Sequence, residues 1–153
     1  MLSINQLLVQ DENGDVSLGH VARSSRQRFI EHIQAFSEQD IALMLMIKNR
    51  QGDTPLHLIA QYQCHEGFNV FIEKCRSIDL KLVLTIQNDY GCTVLHKVAR
   101  YQGQEGFLRC VNYLNSDELR DALTIKNQRG TGIMHLVGRY QSPETFELFS
   151  EQL

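Results

Sequence analysis

Three histidines, His57, His96 and His135, recur at intervals of 39 residues, and three imidazoles in register suggest a metal site. Cys64 beside His65 is a second candidate, the two residue types from which a thiolate nucleophile is built. Spacing argues against both. Side chains at the same point of three stacked units sit roughly 10 Å apart, the distance between packed helix layers, whereas metal ligands converge at about 2 Å. Adjacency in sequence, likewise, is not the spatial pairing that lets an imidazole take a thiol proton. The four cysteines at 64, 75, 92 and 110 form no CxxC pair and match no zinc pattern, so they read as reduced thiols. Cys75 and Cys110 fall on an apolar stripe and should be buried and inert. Cys64 and Cys92 are the candidates for exposure and for any redox or covalent role. With no Gly-rich phosphate loop and no paired carboxylates, no catalytic residue, cofactor or metal is expected, and the chain reads as a non-enzyme.

The histidines belong to a block whose recurrence fixes the architecture. Asn49-Arg50-Gln51-Gly52 leads into Thr54-Pro55-Leu56-His57; Asn88 to Gly91 leads into Thr93 to His96, and Asn127 to Gly130 into Gly132 to His135. Tyr62-Gln63, Glu66 and Phe68 follow, and each returns at the same offset as Tyr101-Gln102, Glu105 and Phe107, then as Tyr140-Gln141, Glu144 and Phe146. A degenerate first copy, Asp11 to Gly14 and Leu18 to Ala22, aligns at an offset of 38, with Phe29 back in phase at 39, so one residue is missing between its first two helices.

Each copy translates into local structure. Asn-x-x-Gly is a turn, because the Asn side chain bonds its own backbone two residues on and Gly relieves the exit. Thr54 reads as an N-cap and Pro55 as the first helical residue, so a helix runs to about Tyr62 with Leu56, Ile59 and Ala60 inward. Phe68, Phe71, Ile72 and Cys75 trace the buried stripe of a second helix, as do Phe107, Cys110, Val111 and Leu114. A short third helix is expected after Ser37, Ser77 and Ser116, each followed by acidic residues suited to a helix start, burying Ile41 and Leu45, Leu80 and Leu84, or Leu119 and Leu123. Leu2, Ile4, Leu7 and Leu8 supply a short element that closes the first copy. Glu144, Glu147 and Glu151 should face water at the other end.

Bulk properties exclude several classes. A composition 42% hydrophobic and 22% charged is that of a globular protein, and the longest apolar stretch, Ile41 to Ile47, is far short of a bilayer span. The N-terminus lacks the basic region of a signal peptide, so a cytoplasmic location is expected. A net charge of -3 with scattered bases disfavours nucleic acid, and no cationic amphipathic segment points to a membrane surface.

At the Thr54-Pro55-Leu56-His57 block the chain resembles the ankyrin repeat, in which this tetrapeptide follows a β-turn and opens the first of two antiparallel helices. Val94 and Ile133 depart from Pro, Gly132 from Thr, and Gly19-His20 shifts the His by one. The period of 39 exceeds the usual 33, with an extra short helix replacing the usual link. The likeness covers residues 11 to 153. It implies an all-α solenoid of four repeats, each with a turn finger, two antiparallel helices and a short third one. The expected division is a cap at 1–10, repeats at 11–46, 47–85 and 86–124, and a last repeat with its cap at 125–153. It also implies that the three histidines bond backbone groups of neighbouring turns.

The function implied by the resemblance is non-catalytic protein binding through a concave face of finger tips and first helices. Mapped here, the tips are Arg50 and Gln51, Asp89 and Tyr90, Gln128 and Arg129; Asp53, Cys92 and Thr131 follow the glycines, and Gln61, Arg100 and Arg139 end the first helices. Tyr62, Tyr101 and Tyr140 either brace the link to the following Gln, pack between layers, or serve the partner, since Tyr and Arg dominate binding energy at interfaces. A short divergent array also resembles ankyrin proteins that intracellular bacteria or viruses send into host cells, which implies delivery to a host cytosol. Two other classes stay open. One is a module that self-associates through its caps; the other is an enzyme with a site hidden in the repeat grooves.

Overall fold

The computed structural model describes residues 2–153. Met1, the first residue of the expected N-terminal cap, lies outside them. The chain is all-helical and repeat-like. In order come α1 (Ile4–Leu8), α2 (Ser17–Ala22), α3 (Arg26–Ala35), α4 (Glu38–Met44), α5 (Pro55–Tyr62), α6 (His65–Lys74), α7 (Lys81–Leu84), α8 (Val94–Tyr101), α9 (Gln104–Val111), α10 (Ser116–Thr124), α11 (Ile133–Tyr140) and α12 (Pro143–Ser150). No strand forms among the described residues, only isolated bridges joining Gln87 to Thr93 and Lys126 to Gly132 at the bases of two turns.

The helices form two rows. First helices pack in the order α2, α5, α8, α11, and second helices in the order α3, α6, α9, α12, with α2 on α3, α8 on α9 and α11 on α12 crossing between the rows. The stripes expected from the sequence supply the contacts: Leu56, Ile59, Ala60, Phe68, Phe71, Cys75, Phe107 and Cys110 are all inaccessible to solvent. Each such aliphatic or aromatic side chain contributes about 1.5–3 kcal/mol by leaving water. Close approach between copies is made at Gly106, where a Cβ would stand 2.9 Å from the Phe68 ring. In the last copy Thr145 takes that place, fully buried, its hydroxyl donating to Gln104 Oε1 at 3.2 Å, and the Phe107 and Phe149 rings meet edge to face at 5.4 Å.

The turns behave as their sequence predicts. Asn49 Oδ1 accepts from the backbone N–H groups of Gln51 and Asp53, both at 2.9 Å, and Asn88, Asn127 and Asp11 repeat the pattern. Gly14, Gly52, Gly91 and Gly130 all take φ near +77°, a conformation that favours Gly. Successive tips are joined by backbone hydrogen bonds: Arg50 N–H to the Asn13 carbonyl, Asp89 to Gln51 and Gln128 to Tyr90.

Three expectations need correction. Ser77 caps nothing: after α6 the chain turns through Cys75 to Ile78, and Asp79 Oδ1 accepts the Lys81 N–H, so α7 starts late and spans only four residues. Ser116 is the first residue of α10 rather than its cap. Asn115 takes that role, because Glu118 then stands three residues on and the two side chains satisfy each other's backbone N–H groups. At the N-terminus α1 packs on α2 and α4 through Leu7 and part of Leu8, while Leu2 and Ile4 point outward.

Candidate functional site

The histidine column is built into the turns. His57 Nδ1 accepts from the Thr54 N–H at 3.1 Å and from its hydroxyl at 2.9 Å, which places the ring proton on Nε2; that nitrogen donates to the Cys92 carbonyl of the next copy at 3.0 Å. His96 does the same with Thr93 and the Thr131 carbonyl. Both ring nitrogens are thus engaged. Burial pushes His57 down to about 4, Lys97 acting in the same direction and Asp53 and the Cys92 carbonyl against it; burial also lowers His96. His135 caps Gly132, but its ring is exposed. In the first copy Gly19 occupies the corresponding position, and the neighbouring His20 turns outward to Asp11.

Two further columns join the copies. Gln63 Nε2 donates to the carbonyls of Ala22 and Ser24, Gln102 to Ala60 and Gln63, and Gln141 to Ala99 and Gln102, so each satisfies the open C-terminal end of the preceding first helix. The link is therefore braced by these Gln side chains. Asn49 Nδ2 donates to Asp15 and Asn88 Nδ2 to Asp53, each at 2.8 Å, and Asn127 reaches the sulfur of Cys92 at 3.6 Å.

That last column corrects an expectation. Asp53 does not present itself to a partner: it is 4% exposed, its carboxylate spent on Asn88. Cys92 is half-buried, its sulfur and carbonyl both facing the neighbouring copy. Cys64 is exposed; Cys75 and Cys110 are buried, which pushes both thiols up to about 12 and removes their nucleophilic form near neutrality. Among the described residues no three His, Cys, Asp or Glu side chains group where they could hold a metal. No described helix is long and apolar enough to cross a membrane.

The remaining predicted residues fall in two groups, the turn tips and the ends of the first helices. Arg50, Gln51, Asp89, Tyr90, Gln128 and Arg129 are exposed on the joined turn tips. Gln61 is half-buried and accepts from Lys97 Nζ at 2.8 Å. At the far ends of the first helices, the tyrosines interleave with arginines: the Arg23 guanidinium lies 4.8 Å from the centre of the Tyr62 ring, Arg100 lies 5.0 Å from Tyr101 and 5.6 Å from Tyr140, and Arg139 lies 5.4 Å from Tyr140. Arg23 and Lys97 were missed by sequence reasoning. Arg23 sits in the degenerate copy, where the missing residue hides its alignment, and Lys97 occupies a position that holds Leu58 and Leu136 elsewhere.

No family model matches the chain, and no curated protein matches it. Among solved structures, a chain in the complex of the predatory endopeptidase Bd0816 from Bdellovibrio bacteriovorus with immunity protein Bd3460 is similar at 18% identity. The match covers 96% of this chain and 86% of that chain, with a TM-score of 0.40.

Proposed function

We propose that this chain is an ankyrin-like solenoid that binds a protein partner, without catalysis, through the face made of turn tips and first helices. One observation carries the reading. The recurring Asn, His and Gln side chains are occupied in joining the copies, whereas the exposed tips Arg50, Tyr90 and Arg129 differ between copies and, among the described residues, bond no neighbour through their side chains. Energy spent on order is thus separated from surface left free for recognition. The strongly shifted groups, His57, Cys75 and Cys110, are locked in packing between helices, which favours binding over a concealed catalytic groove. Delivery to a host cytosol rests on the family resemblance alone.

The test is co-purification from the native cytosol. The triple variant Y90A/R100A/R139A should lose the partner while its thermal midpoint stays within a few degrees of wild type, since exposed cation–π contacts contribute only about 0.5–1 kcal/mol each. Partner retention by the triple variant, or its loss from E144A/E147A on the second-helix row, would overturn the assignment. A second reading, self-association, draws on Phe146 and Leu148, which are 42% and 43% exposed although Phe68 and Phe107 at the position of Phe146 are fully buried. It concerns one end of the stack and leaves the tip face without a role.

A further inference from the structure

Charge is sorted between the helix rows. The four first helices and the Arg23 that ends α2 contain no Asp or Glu; their charged side chains are Arg23, Lys97, Arg100 and Arg139. Carboxylates crowd the second and third helices instead, among them Glu66, Glu73, Glu105, Glu118 and Glu144. On the basic row Arg23 is paired with the buried Asp15 at 3.1 Å, but among the described residues no carboxylate lies within ion-pairing distance of Arg100 or Arg139. Both are exposed, and both guanidiniums stand over tyrosine rings, Arg100 at 5.0 Å and 5.6 Å from two of them and Arg139 at 5.4 Å from one.

An arginine ordered on an aromatic face keeps its donor edge free and has already lost much of its side-chain freedom, so a carboxylate meets a preorganised fork. We infer that the Arg100–Tyr140–Arg139 ladder takes an extended acidic segment of the protein partner, its carboxylates on the guanidiniums and its apolar side chains on the tyrosines. This deepens the protein-binding reading and rests on it. Geometry sets the spacing: packed helix layers step by roughly 10 Å and an extended chain by about 3.3 Å per residue, so one acidic residue in about every three stays in register. Nucleic acid fits less well. Two free guanidiniums neutralise few phosphates, and the net charge of -3, concentrated on the other rows, repels a long polyanion more than a short acidic peptide.

Fluorescence anisotropy with the full chain tests this, using labelled 15-residue peptides. A peptide with Glu at every third position among Ser and Leu should bind saturably. Its affinity should fall about tenfold or more in R100Q/R139Q, weaken with salt, and fall about threefold when the same residues are shuffled out of register. Peptides with Lys in place of Glu should not bind. No saturation by the Glu peptide, equal affinity for R100Q/R139Q, or tighter binding of a single-stranded oligonucleotide would each overturn the inference. Failure of the peptide together with partner loss in Y90A/R100A/R139A removes the acidic chemistry and leaves the face; failure of both removes the face as well.

Discussion

At the residue scale, the same motif does different work according to its neighbours. His57 caps its own turn and donates to the next copy, whereas His135 has only the first task. H57A leaves the Cys92 carbonyl and the Thr54 N–H unsatisfied in a buried setting and should cost about 2–4 kcal/mol in urea unfolding, against less than about 1 for H135A. Acidification should act through the same ring. His57 is held at about 4 when folded and returns to near 6.5 when unfolded. Between those values the unfolded chain binds a proton that the folded chain refuses. Stability is therefore full above pH 6.5 and falls as pH drops towards 4, by up to about 3 kcal/mol from this group, with His96 acting in the same direction. Urea midpoints at pH 7.5 and 4.5 check the sign. The register of these histidines argues against a shared metal, and the bond to a neighbouring turn that the family resemblance implies forms at His57 and His96 but not at His135; the burial of Asp53 was not legible, because it depends on an Asn 35 residues away that single-copy turn chemistry does not reveal.

At the element scale, first and second helices were legible to within a residue or so, since a Thr-Pro start and an apolar stripe at helical spacing point to one answer. Third helices were harder. Several polar residues lie in each link, and which one caps is decided by the partner three residues on, as Glu118 selects Asn115 over Ser116. The reciprocal bond from the Asn115 N–H holds the Glu118 carboxyl below its usual range. N115A should lower stability by about 1 kcal/mol and S116A by much less, read from thermal midpoints. A larger effect of S116A than of N115A would place the cap at Ser116.

At the scale of the whole molecule, repetition separates order from recognition. The His, Gln and Asn columns tie each copy to the next, and Tyr and Arg side chains at the ends of the first helices meet across copies, as Arg100 does Tyr140. The sequence located those side chains at the ends of the first helices, but the interleaving of rings and guanidiniums emerges only when copies are stacked, since Arg100 touches a tyrosine 40 residues further along. Photocrosslinking tests the central claim most directly: p-benzoylphenylalanine is placed at Tyr90 on the tips in one variant and at Glu147 on α12 in another, and both are exposed to native cytosol. The account predicts that Tyr90→p-benzoylphenylalanine captures the protein that co-purifies with wild type and that Glu147→p-benzoylphenylalanine does not. Capture from position 147 alone would contradict it.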